Sequence, residues 1–436
     1  MNITDFLNSE LVNYASYDNL RKIGSCIDGL KNASRKVLFT VHEKKIKDKI
    51  KVSQLSAKCA EYSDYLHGDN LWNVIVTLGK DYAGTNNIPL IKKFGNFGTR
   101  CINESSAPRY IFAHGSEEFF KYFMYEDDSI LEQQYFEGNR IEPKFYVPTL
   151  PFLLVNGSEG VSSGFAQKIL PRNVNNLKKY IKQKLNGKNP SEELLMPFFN
   201  NFNGDIEVDS EIKNKFIIKG KIQHVKHYEY LITEIPITYD LKSYIKVLED
   251  LEDKGIVKRW KNESDGENVL QFRVWLSKFH DDEKLLDSLK LIKSITENYT
   301  CIDENNKIIE FNNAKEIIDH FIDFKLKYMQ KRKDLIVQTI KSHLDILNQK
   351  IKFIDYYINK KIKIHNVSLS EIEKQLNDYK FEKQNDSFSY LLSISLFSLS
   401  KEKRNELENE RLKNEQSLKE ILSTEVSDMW LKDLNV

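Results

Sequence analysis

The chain has 436 residues, of which 40% are hydrophobic and 30% charged, and its formal net charge is +1. This length allows about three domains, and the composition is typical of a soluble globular protein. The four cysteines are scattered and form no CxxC pair, which argues against a disulfide-rich or zinc-binding protein. No apolar run approaches ~18 residues and no signal peptide is recognisable, which argues against a membrane protein. We therefore expect a cytoplasmic protein.

The N-terminal part of the chain is rich in basic residues. Residues 1–20 are predicted to form a short helical arm, and a helix follows whose apolar positions are 30, 33, 37, 38 and 41. Lys31, Arg35 and Lys36 fall off that apolar face, so we expect them to be free to meet phosphates. Between residues 21 and 58 eleven Lys or Arg stand against three acidic residues, an excess that can bind a polyanion. Its densest part, residues 44–51, is more typical of an ordinary solvated face.

Two further helices are predicted at 53–61 and 69–78, with a tight turn at 62–68. A short turn between two helices in a basic context indicates a helix-turn-helix, the core of a winged-helix domain. His67 lies at the start of the second helix, where a lone histidine is more often a structural residue than a functional one.

Arg109-Tyr110 is the only Arg-Tyr dipeptide among the 21 tyrosines. A phenol hydroxyl has a pKa near ~10 when unperturbed, so it is a poor nucleophile until something favours the phenolate. A neighbouring guanidinium supplies part of that bias and can also hold a phosphodiester. The pair suits covalent phosphoryl transfer, in which a tyrosine takes over a DNA phosphate and later returns it. Taken alone, it is more typical of an ordinary half-buried tyrosine.

The middle of the chain begins with a glycine-rich loop, NGSEGVSSGF at 156–165, which indicates that backbone approaches something closely there. A mixed pattern follows from about 174 to 305. It predicts a helix at 241–253 and strands at 216–222, 230–236 and 271–275. This part is therefore predicted to be an α+β unit.

The last 170 residues, after Gly266, contain neither glycine nor proline. Apolar residues recur there in steps of three and four, as in a coiled-coil seam, at 336, 340, 344, 347, 351, 354 and 358. Residues 401–422 are predicted to form a returning helix, and residues 367–399 a compact apolar knot between the two helices.

Several of these segments together resemble type IIA DNA topoisomerases. GNFGTR at 95–100 and SAPRYIFA at 106–113 are similar to the region of the family's cleavage tyrosine, and they are most like its phage and eukaryotic branches. DGLKNASRKVL at 28–38 resembles the family's DGLKP-x-x-RR-x-L, with Asn32 for proline and Lys36 for the second arginine. The other matching segments are HGD at 67–69, NGSEGVSSG at 156–164, LFSLSKEK at 396–403 and MWLKDL at 429–434.

The resemblance covers about residues 10–434, and it implies an α+β multidomain fold. The expected parts are an N-terminal arm (1–25), a winged-helix domain with the catalytic tyrosine (26–145), a tower domain (146–310), and a long antiparallel coiled coil with a C-terminal dimer gate (311–436, tip about 364–399).

The resemblance also implies roles for individual residues. Tyr110 would form a transient 5′-phosphotyrosine bond, and Arg109 would stabilise the phosphate. Val161, an isoleucine in the family, would wedge between base pairs and bend the DNA. The other residues expected to contact DNA are Arg21, Lys31, Arg35, Lys36 and His67.

Cofactors and partners follow from the same resemblance. The chain itself has no DxD pair, so no metal site is expected in it, and it has no GxxxxGK[ST] loop, so no ATP site is expected either. Mg²⁺ and ATP are expected on a separate Toprim and ATPase subunit, in a hetero-oligomer most like the T-even phage enzyme. The other expected partners are double-stranded DNA and a second copy of the chain, with no membrane. Because the chain stops after the coiled coil, we expect relaxation or decatenation and not negative supercoiling.

Two other functions are weighed against this one. A winged helix on a coiled-coil dimeriser could be a non-catalytic DNA-binding structural protein, with Tyr110 inert. A self-sufficient nuclease is disfavoured, because no convincing metal site is apparent. The combination of GNFG, RY and NG-x-x-GV favours the catalytic function, since a protein that only binds DNA would not need it.

Overall fold

The structure is a computed structural model that describes residues 2–65, 70–278, 282–384, 386–395 and 399–435, with residues 282 and 283 described by their backbone alone. The chain is an α+β protein, as predicted, and it divides into two compact units. The first unit is Met1–Lys325 with Asp433–Val436, and the second is Leu326–Lys432. Among the described residues, no helix combines the length and the apolar character needed to cross a lipid bilayer.

The described helices, in chain order, are α1 (Ile3–Phe6), α2 (Val12–Lys22), α3 (Asn32–Glu43), α4 (Val52–Ser63), α5 (Leu71–Gly79), α6 (Glu117–Tyr122), α7 (Phe152–Val155), α8 (Val174–Leu185), α9 (Leu241–Asp253), α10 (Asp282–Ser288), α11 (Ala314–Ile358), α12 (Leu369–Asp378), α13 (Ser389–Leu392), α14 (Lys401–Ser423) and α15 (Val426–Asn435). A π-helical turn, Leu7–Leu11, joins α1 to α2, and short 3₁₀ turns occur at Tyr125–Ile130 and Glu192–Leu195.

The described strands are β1 (Ile50–Lys51), β2 (Ile91–Phe94), β3 (Phe112–Gly115), β4 (Gln134–Phe136), β5 (Asn139–Ile141), β6 (Ser158–Val161), β7 (Ala166–Ile169), β8 (Asp205–Val208), β9 (Lys215–Lys219), β10 (Lys221–Lys226), β11 (Glu229–Glu234), β12 (Val257–Asn262), β13 (Phe272–Leu276), β14 (Ile292–Thr296), β15 (Asn298–Ile302) and β16 (Ile308–Glu310). They form small antiparallel sheets with the strand orders β1-β3-β2, β4-β5, β16-β15-β7-β6, β14-β9-β8 and β10-β11-β13-β12.

The two helices of the predicted helix-turn-helix are present as α4 and α5, and the turn predicted between them lies partly outside the described residues. These two helices and α3 pack against one another, and their inward apolar side chains are fully buried, among them Val37, Leu38, Val41, Leu55 and Ile75. The sheet β1-β3-β2 forms a wing beside them, with Ile50 opposite Ala113 and Ile91 opposite Gly115. The helices thus form the core on which the wing, and the chain segment between its strands, are mounted.

In the predicted α+β unit, the strand expected at 216–222 is not continuous. That predicted strand is divided at Gly220 into β9 and β10, which belong to different sheets. A Cβ atom at Gly220 would lie 2.5 Å from the carbonyl oxygen of Glu234, so the backbone passes β11 too closely for any side chain. Helix α9 coincides with the predicted 241–253, and its Tyr244 and Leu248 are fully buried in a core with β11 and β13.

The second unit contains the predicted antiparallel helix pair. Four seam residues of α11 are buried, Leu344, Leu347, Ile351 and Ile354, and the last three pack in one cluster with Leu407 of α14. His343 contacts Glu410 at 3.0 Å and Asp355 contacts Arg404 at 3.2 Å. The later residue of α11 thus pairs with the earlier residue of α14, so the two helices are antiparallel. The predicted knot has its own core at the tip, built from Phe353, Ile362, Ile372, Leu376, Phe381, Phe388 and Leu391.

Candidate functional site

Tyr110 lies in a turn between the wing strands β2 and β3. Its backbone N–H donates to the carbonyl of Ala107 over 2.9 Å, which closes the turn. The N–H groups of Val52 and Ser53, at the start of α4, donate to the carbonyls of residues 111 and 108 over 3.0 and 3.1 Å. Ile111 is buried, whereas Tyr110 is 66% exposed. The fold therefore fixes the backbone on both sides of a tyrosine that is open to solvent.

Arg109 stacks on the ring of the residue that follows it. The central carbon of its guanidinium lies 4.7 Å from the centroid of the Tyr110 ring, and both residues are exposed. A guanidinium keeps its charge at any physiological pH, and its fork of N–H donors matches the oxygens of a phosphate. The turn thus places an exposed phenol hydroxyl beside an exposed guanidinium, and the roles predicted for the two residues remain predictions.

The glycine-bounded loop at 95–98 shapes the segment that leads to the tyrosine. Gly98 has a φ of +94°, and a Cβ atom there would lie 2.6 Å from the carbonyl oxygen of Asn103, so only glycine fits. The side chain of Asn96 accepts from the N–H of Gly98 over 2.8 Å, and its carbonyl accepts from the N–H of Ser106 over 3.0 Å. The loop therefore fixes the backbone at Ser106, four residues before Tyr110.

Two of the predicted DNA ligands on α3 are buried. Arg35 forms a two-pronged ion pair with Asp28, with Nε–Oδ2 and Nη2–Oδ1 distances of 2.8 and 3.0 Å. The Lys36 ammonium donates to the carboxylate of Glu142 over 3.0 Å and to the carbonyl of Ser63. The prediction that both are free to meet phosphates is wrong. Residues 35–42 of α3 are all buried, so the helix has no solvated polar face at this point.

Lys31, one turn earlier, lines an open cleft of about 480 Å³. Lys80 and Lys168 line the same cleft, together with a single carboxylate, that of Glu159. The Lys168 ammonium is paired with this carboxylate at 2.9 Å. The ammonium groups of Lys31 and Lys80 donate instead to the backbone carbonyls of Glu159 and Asn103, over 2.6 and 3.0 Å.

Burial lowers the pKa of both Lys31 and Lys80, because each ammonium is partly withdrawn from water. An ammonium has three donors, and one carbonyl uses only one of them. The two groups therefore suit the oxygens of a phosphate. Sequence reasoning missed Lys80 and Lys168, which belong to no motif and reach the cleft only through the fold.

Two of the remaining predicted residues, Val161 and Arg21, lie on or near the hairpin of β6 and β7. Val161 is 74% exposed at the end of β6, and the Lys31 ammonium contacts the backbone of this strand two residues earlier. Arg21 is exposed near the end of α2, with its guanidinium carbon 5.4 Å from the centroid of the Tyr17 ring. His67 lies outside the described residues.

The lysine-rich segment 44–51 is not simply solvated. The ammonium groups of Lys44 and Lys49 lie 3.6 and 4.1 Å from the ring centroids of Tyr62 and Phe94. These cations cover aromatic faces at the surface of the helices and the wing, a contact worth about 0.5–1 kcal/mol at an exposed site.

Within the described part of the chain, one group of three side chains could hold a metal ion, namely His42, Glu43 and Asp128. Burial lowers the pKa of His42 to about 4, so its imidazole is neutral. Burial, and then the Glu43 charge, raise the pKa of Asp128 to about 7, while the Arg140 guanidinium already pairs with Glu43 at 3.0 Å. Mg²⁺ prefers oxygen ligands in an octahedron, so this group, with an imidazole and a resident cation, does not fit it.

Comparison with known proteins gives consistent matches over nearly the whole chain. The family model for the A subunits of DNA gyrase and topoisomerase IV matches residues 21–435. The mitochondrial DNA topoisomerase 2 of Dictyostelium discoideum is 33% identical over 449 residues, which cover 99% of this chain and 34% of that protein. DNA topoisomerase 2 of Invertebrate iridescent virus 6 is 30% identical over 446 residues, covering 100% and 38%.

The fold matches a solved structure as well. The DNA-binding, cleavage and re-ligation domain of Plasmodium falciparum topoisomerase II superposes with a TM-score of 0.85 at 28% identity, over 99% of this chain and 63% of that one. The chain spans about a third of the length of the curated relatives it matches.

Proposed function

The chain belongs to the DNA gyrase/topoisomerase IV family of type II topoisomerases, and from this we propose that it is the part that breaks and rejoins DNA, with Tyr110 as the nucleophile. The observation that carries the proposal is the exposed Tyr110 on an anchored turn, with the Arg109 guanidinium 4.7 Å from its ring. The similarity to a cleavage and re-ligation domain supports this function over that of a non-catalytic DNA-binding protein.

The chemistry is a reversible transesterification. The phenol oxygen of Tyr110 attacks a backbone phosphorus and gives up its proton, a P–O(Tyr) bond forms, and the bond from phosphorus to the 3′ oxygen breaks. The 3′ oxygen takes up a proton and leaves as a hydroxyl, and the 5′ phosphate stays on the tyrosine. Arg109 binds the non-bridging oxygens, where negative charge builds up. Because one phosphoester replaces another, the same steps in reverse reseal the strand without a cofactor in this chain.

The DNA surface that we propose extends from the tyrosine turn to the β6–β7 hairpin. Lys31 and Lys80 would hold phosphates at the cleft, Arg21 would add charge beside the hairpin, and Val161 would enter the base stack. Arg35 and Lys36 are excluded from this surface by their burial. The proposed domain division remains an arm at 1–25, a winged-helix domain at 26–145, a tower at 146–310 and a coiled coil with a dimer gate at 311–436.

We further propose that Mg²⁺ and ATP act from Toprim and ATPase modules of a partner, and that two copies of this chain join through the gate. Mg²⁺ would supply charge neutralisation at the phosphate. Among the described residues, the group that could hold a metal ion, His42, Glu43 and Asp128, does not fit Mg²⁺. No step is therefore assigned to an ion held by this chain.

The test is to trap the covalent complex. The chain is incubated with DNA, Mg²⁺ and its Toprim-bearing partner, denatured, and digested, and the modified peptide is mapped. We expect the DNA on Tyr110 of the peptide that contains Arg109. Tyr110→Phe should bind DNA as well as the parent chain and form no adduct. An adduct on another residue, or with this variant, would refute the assignment.

A further inference from the structure

Val161 occupies the exposed end of a short hairpin. β6 and β7 pair over four residues, from Ser158 opposite Ile169 to Val161 opposite Ala166. Separating stacked base pairs takes free energy, and the DNA presses back on the side chain that separates them. β15 pairs with β7 only at Gln167 and Lys168, so the tip of the hairpin is a two-stranded ribbon, which is barely stable alone. Unless other parts of the protein hold the hairpin in place, contact with the DNA would bend the hairpin instead of the duplex.

The brace that the structure shows is Asp18, on helix α2 of the N-terminal arm. One carboxylate oxygen, Oδ2, accepts three hydrogen bonds from the hairpin tip: from Ser162 Oγ (3.0 Å), Ser163 N (3.0 Å) and Ser163 Oγ (2.9 Å). The other oxygen is paired with the Lys22 ammonium at 2.9 Å. Only 10% of the Asp18 side chain is exposed, while Val161, next to Ser162, is 74% exposed.

The pair of residues next to the tip, Gly160 and Gln167, is held by the end of the same arm. A Cβ atom at Gly160 would lie 2.1 Å from the carbonyl oxygen of Lys22, so the strand and the helix end are in direct backbone contact. Gln167 of β7 accepts from the N–H of Gly24 over 2.9 Å and donates to the carbonyl of Thr300 over 2.8 Å. The hairpin is therefore fixed at Gly160 and Gln167 to the arm and to β15, and at its tip to Asp18.

We infer that Asp18 is a positioning residue for the DNA wedge: it holds the tip of the β6–β7 hairpin against α2, so that Val161 keeps its place when a duplex presses on it. The arm then determines how far the DNA is bent. This inference rests on the proposed function, since it concerns the hairpin that would enter the DNA.

The carboxylate is well suited to this task. Its hydrogen bond with Lys22 lowers the pKa of Asp18 to about 2, so it stays ionised at neutral pH. Hydrogen bonds to a charged acceptor are stronger than those between neutral groups. Asn at this position would keep one oxygen acceptor of nearly the same shape and lose the charge.

The experiment measures DNA bending by energy transfer between dyes on the two ends of a short duplex, with the full chain in excess. We expect Asp18→Ala to lower the ratio of bent to unbent complex by about fivefold or more, because the tip loses three charge-assisted hydrogen bonds. Asp18→Asn should recover most of the bending. Glu10→Ala, the same change of charge at an exposed position on the same arm, should bend DNA like the parent chain.

A second duplex separates positioning from general damage. Central mismatches weaken stacking in advance, so a poorly braced wedge can still open them. Asp18→Ala should therefore bend the mismatched duplex almost as well as the parent chain does. Ser162→Ala/Ser163→Ala, which removes two donors at the tip and leaves the arm unchanged, should behave in the same way if Asp18→Ala does not fold.

Bending of the matched duplex by Asp18→Ala, or by the double serine variant, at the level of the parent chain would overturn the inference. A defect of equal size on both duplexes would also overturn it, because it would indicate a general structural role. If the parent chain itself does not bend DNA, the wedge is absent. In that case the proposed function fails first, and the inference falls with it.

Discussion

At the scale of single residues, the fold decides which basic side chains can meet a phosphate. Lys31, Arg35 and Lys36 lie within six positions of one another, yet only Lys31 reaches an open cleft. Arg35 and Lys36 are each matched by a buried carboxylate. A buried ion pair has no charge to spare for a ligand, and breaking it by removing one partner leaves the other charge buried and unpaired, at a cost of about 3–5 kcal/mol.

Lys80 provides a test of the cleft. Each phosphate neutralised on B-DNA contributes about 0.9 to the slope of log K against log salt. We therefore expect Lys80→Ala to reduce that slope by about 1, with a similar weakening for all DNA sequences. The measurement is DNA affinity by anisotropy at several salt concentrations.

The control for this test is Lys374→Ala, which removes an exposed lysine from α12 in the second unit. It should leave the salt slope unchanged. An unchanged slope for Lys80→Ala as well would show that the cleft does not hold a DNA phosphate.

His42 and Asp128 predict how stability depends on pH. Burial lowers the pKa of His42 from 6.5 to about 4. The full contribution of neutral His42 to the stability of the folded state is therefore present above pH 6.5, and this contribution is lost as the pH falls toward 4. The pKa of Asp128 is raised from 3.8 to about 7, chiefly by burial, so ionising it disfavours the folded state near pH 7, and that penalty disappears as the pH falls. The two effects oppose each other, and the parent chain should change little between pH 7 and 5.

Asp128→Asn removes one of the two effects and leaves the other. Its folded state should therefore lose stability as the pH falls from 7 to 5, by up to ~1.4 kcal/mol per pH unit below the ordinary pKa of histidine. Hydrogen exchange of the α3 amides measures this change. Asp48→Asn, at an exposed aspartate, is the control and should follow the parent chain. Greater stability of Asp128→Asn at pH 5 than at pH 7 would contradict the prediction.

At the scale of elements, the hydrophobic pattern of the second unit predicts its helix pair well. Ile354 is fully buried, and it packs with Leu347, Ile351 and Leu407. Ile354→Ala should cost about 2–5 kcal/mol, because it removes buried apolar atoms and leaves a cavity. Hydrogen exchange should accelerate across α11 and α14 within this unit and change little in α3 to α5.

Leu412→Ala is the matched control for that prediction, since Leu412 is half exposed on α14. It should shift exchange by a few tenths of a kcal/mol at most. Equal effects of the two substitutions would mean that residues 344–354 are not the seam that holds the helices together.

Sequence patterns predict a helix or strand when its packing partner is near in sequence, or when apolar residues recur along one of its faces. The helix at 241–253 and the seam of α11 are of this kind. The division of the predicted strand at Gly220 is not of this kind. It is caused by the carbonyl of Glu234, which comes close to Gly220 only after the chain has turned back on itself. The burial of Arg35 is likewise decided by Asp28 and by the segment around Tyr146, whose N–H donates to the same carboxylate over 3.0 Å.

At the scale of the whole molecule, the candidate site was predictable to the extent that its residues are adjacent in the chain. Arg109 and Tyr110 are neighbours and are found side by side. The contact of Asp18 with Ser163 spans 145 positions, and the buried pair of Arg172 with Glu297 spans 125. No short-range pattern in the sequence predicts such pairs. They appear only once sheets from distant segments have assembled, and for that reason Lys80 and Lys168 of the cleft and the hairpin brace were not predicted.

The last prediction concerns two copies of the chain acting on one duplex. If each copy supplies one Tyr110, a dimer with one parent chain and one Tyr110→Phe chain should cut a single strand. Differently tagged copies are co-expressed, the mixed dimer is purified by both tags, and supercoiled plasmid is treated with partner and Mg²⁺ and then denatured with detergent. We expect nicked circles from the mixed dimer, linear DNA from the parent dimer and intact plasmid from the double variant. Linear DNA from the mixed dimer would require a second nucleophile in each chain, and nicks from the double variant would remove Tyr110 from the reaction altogether.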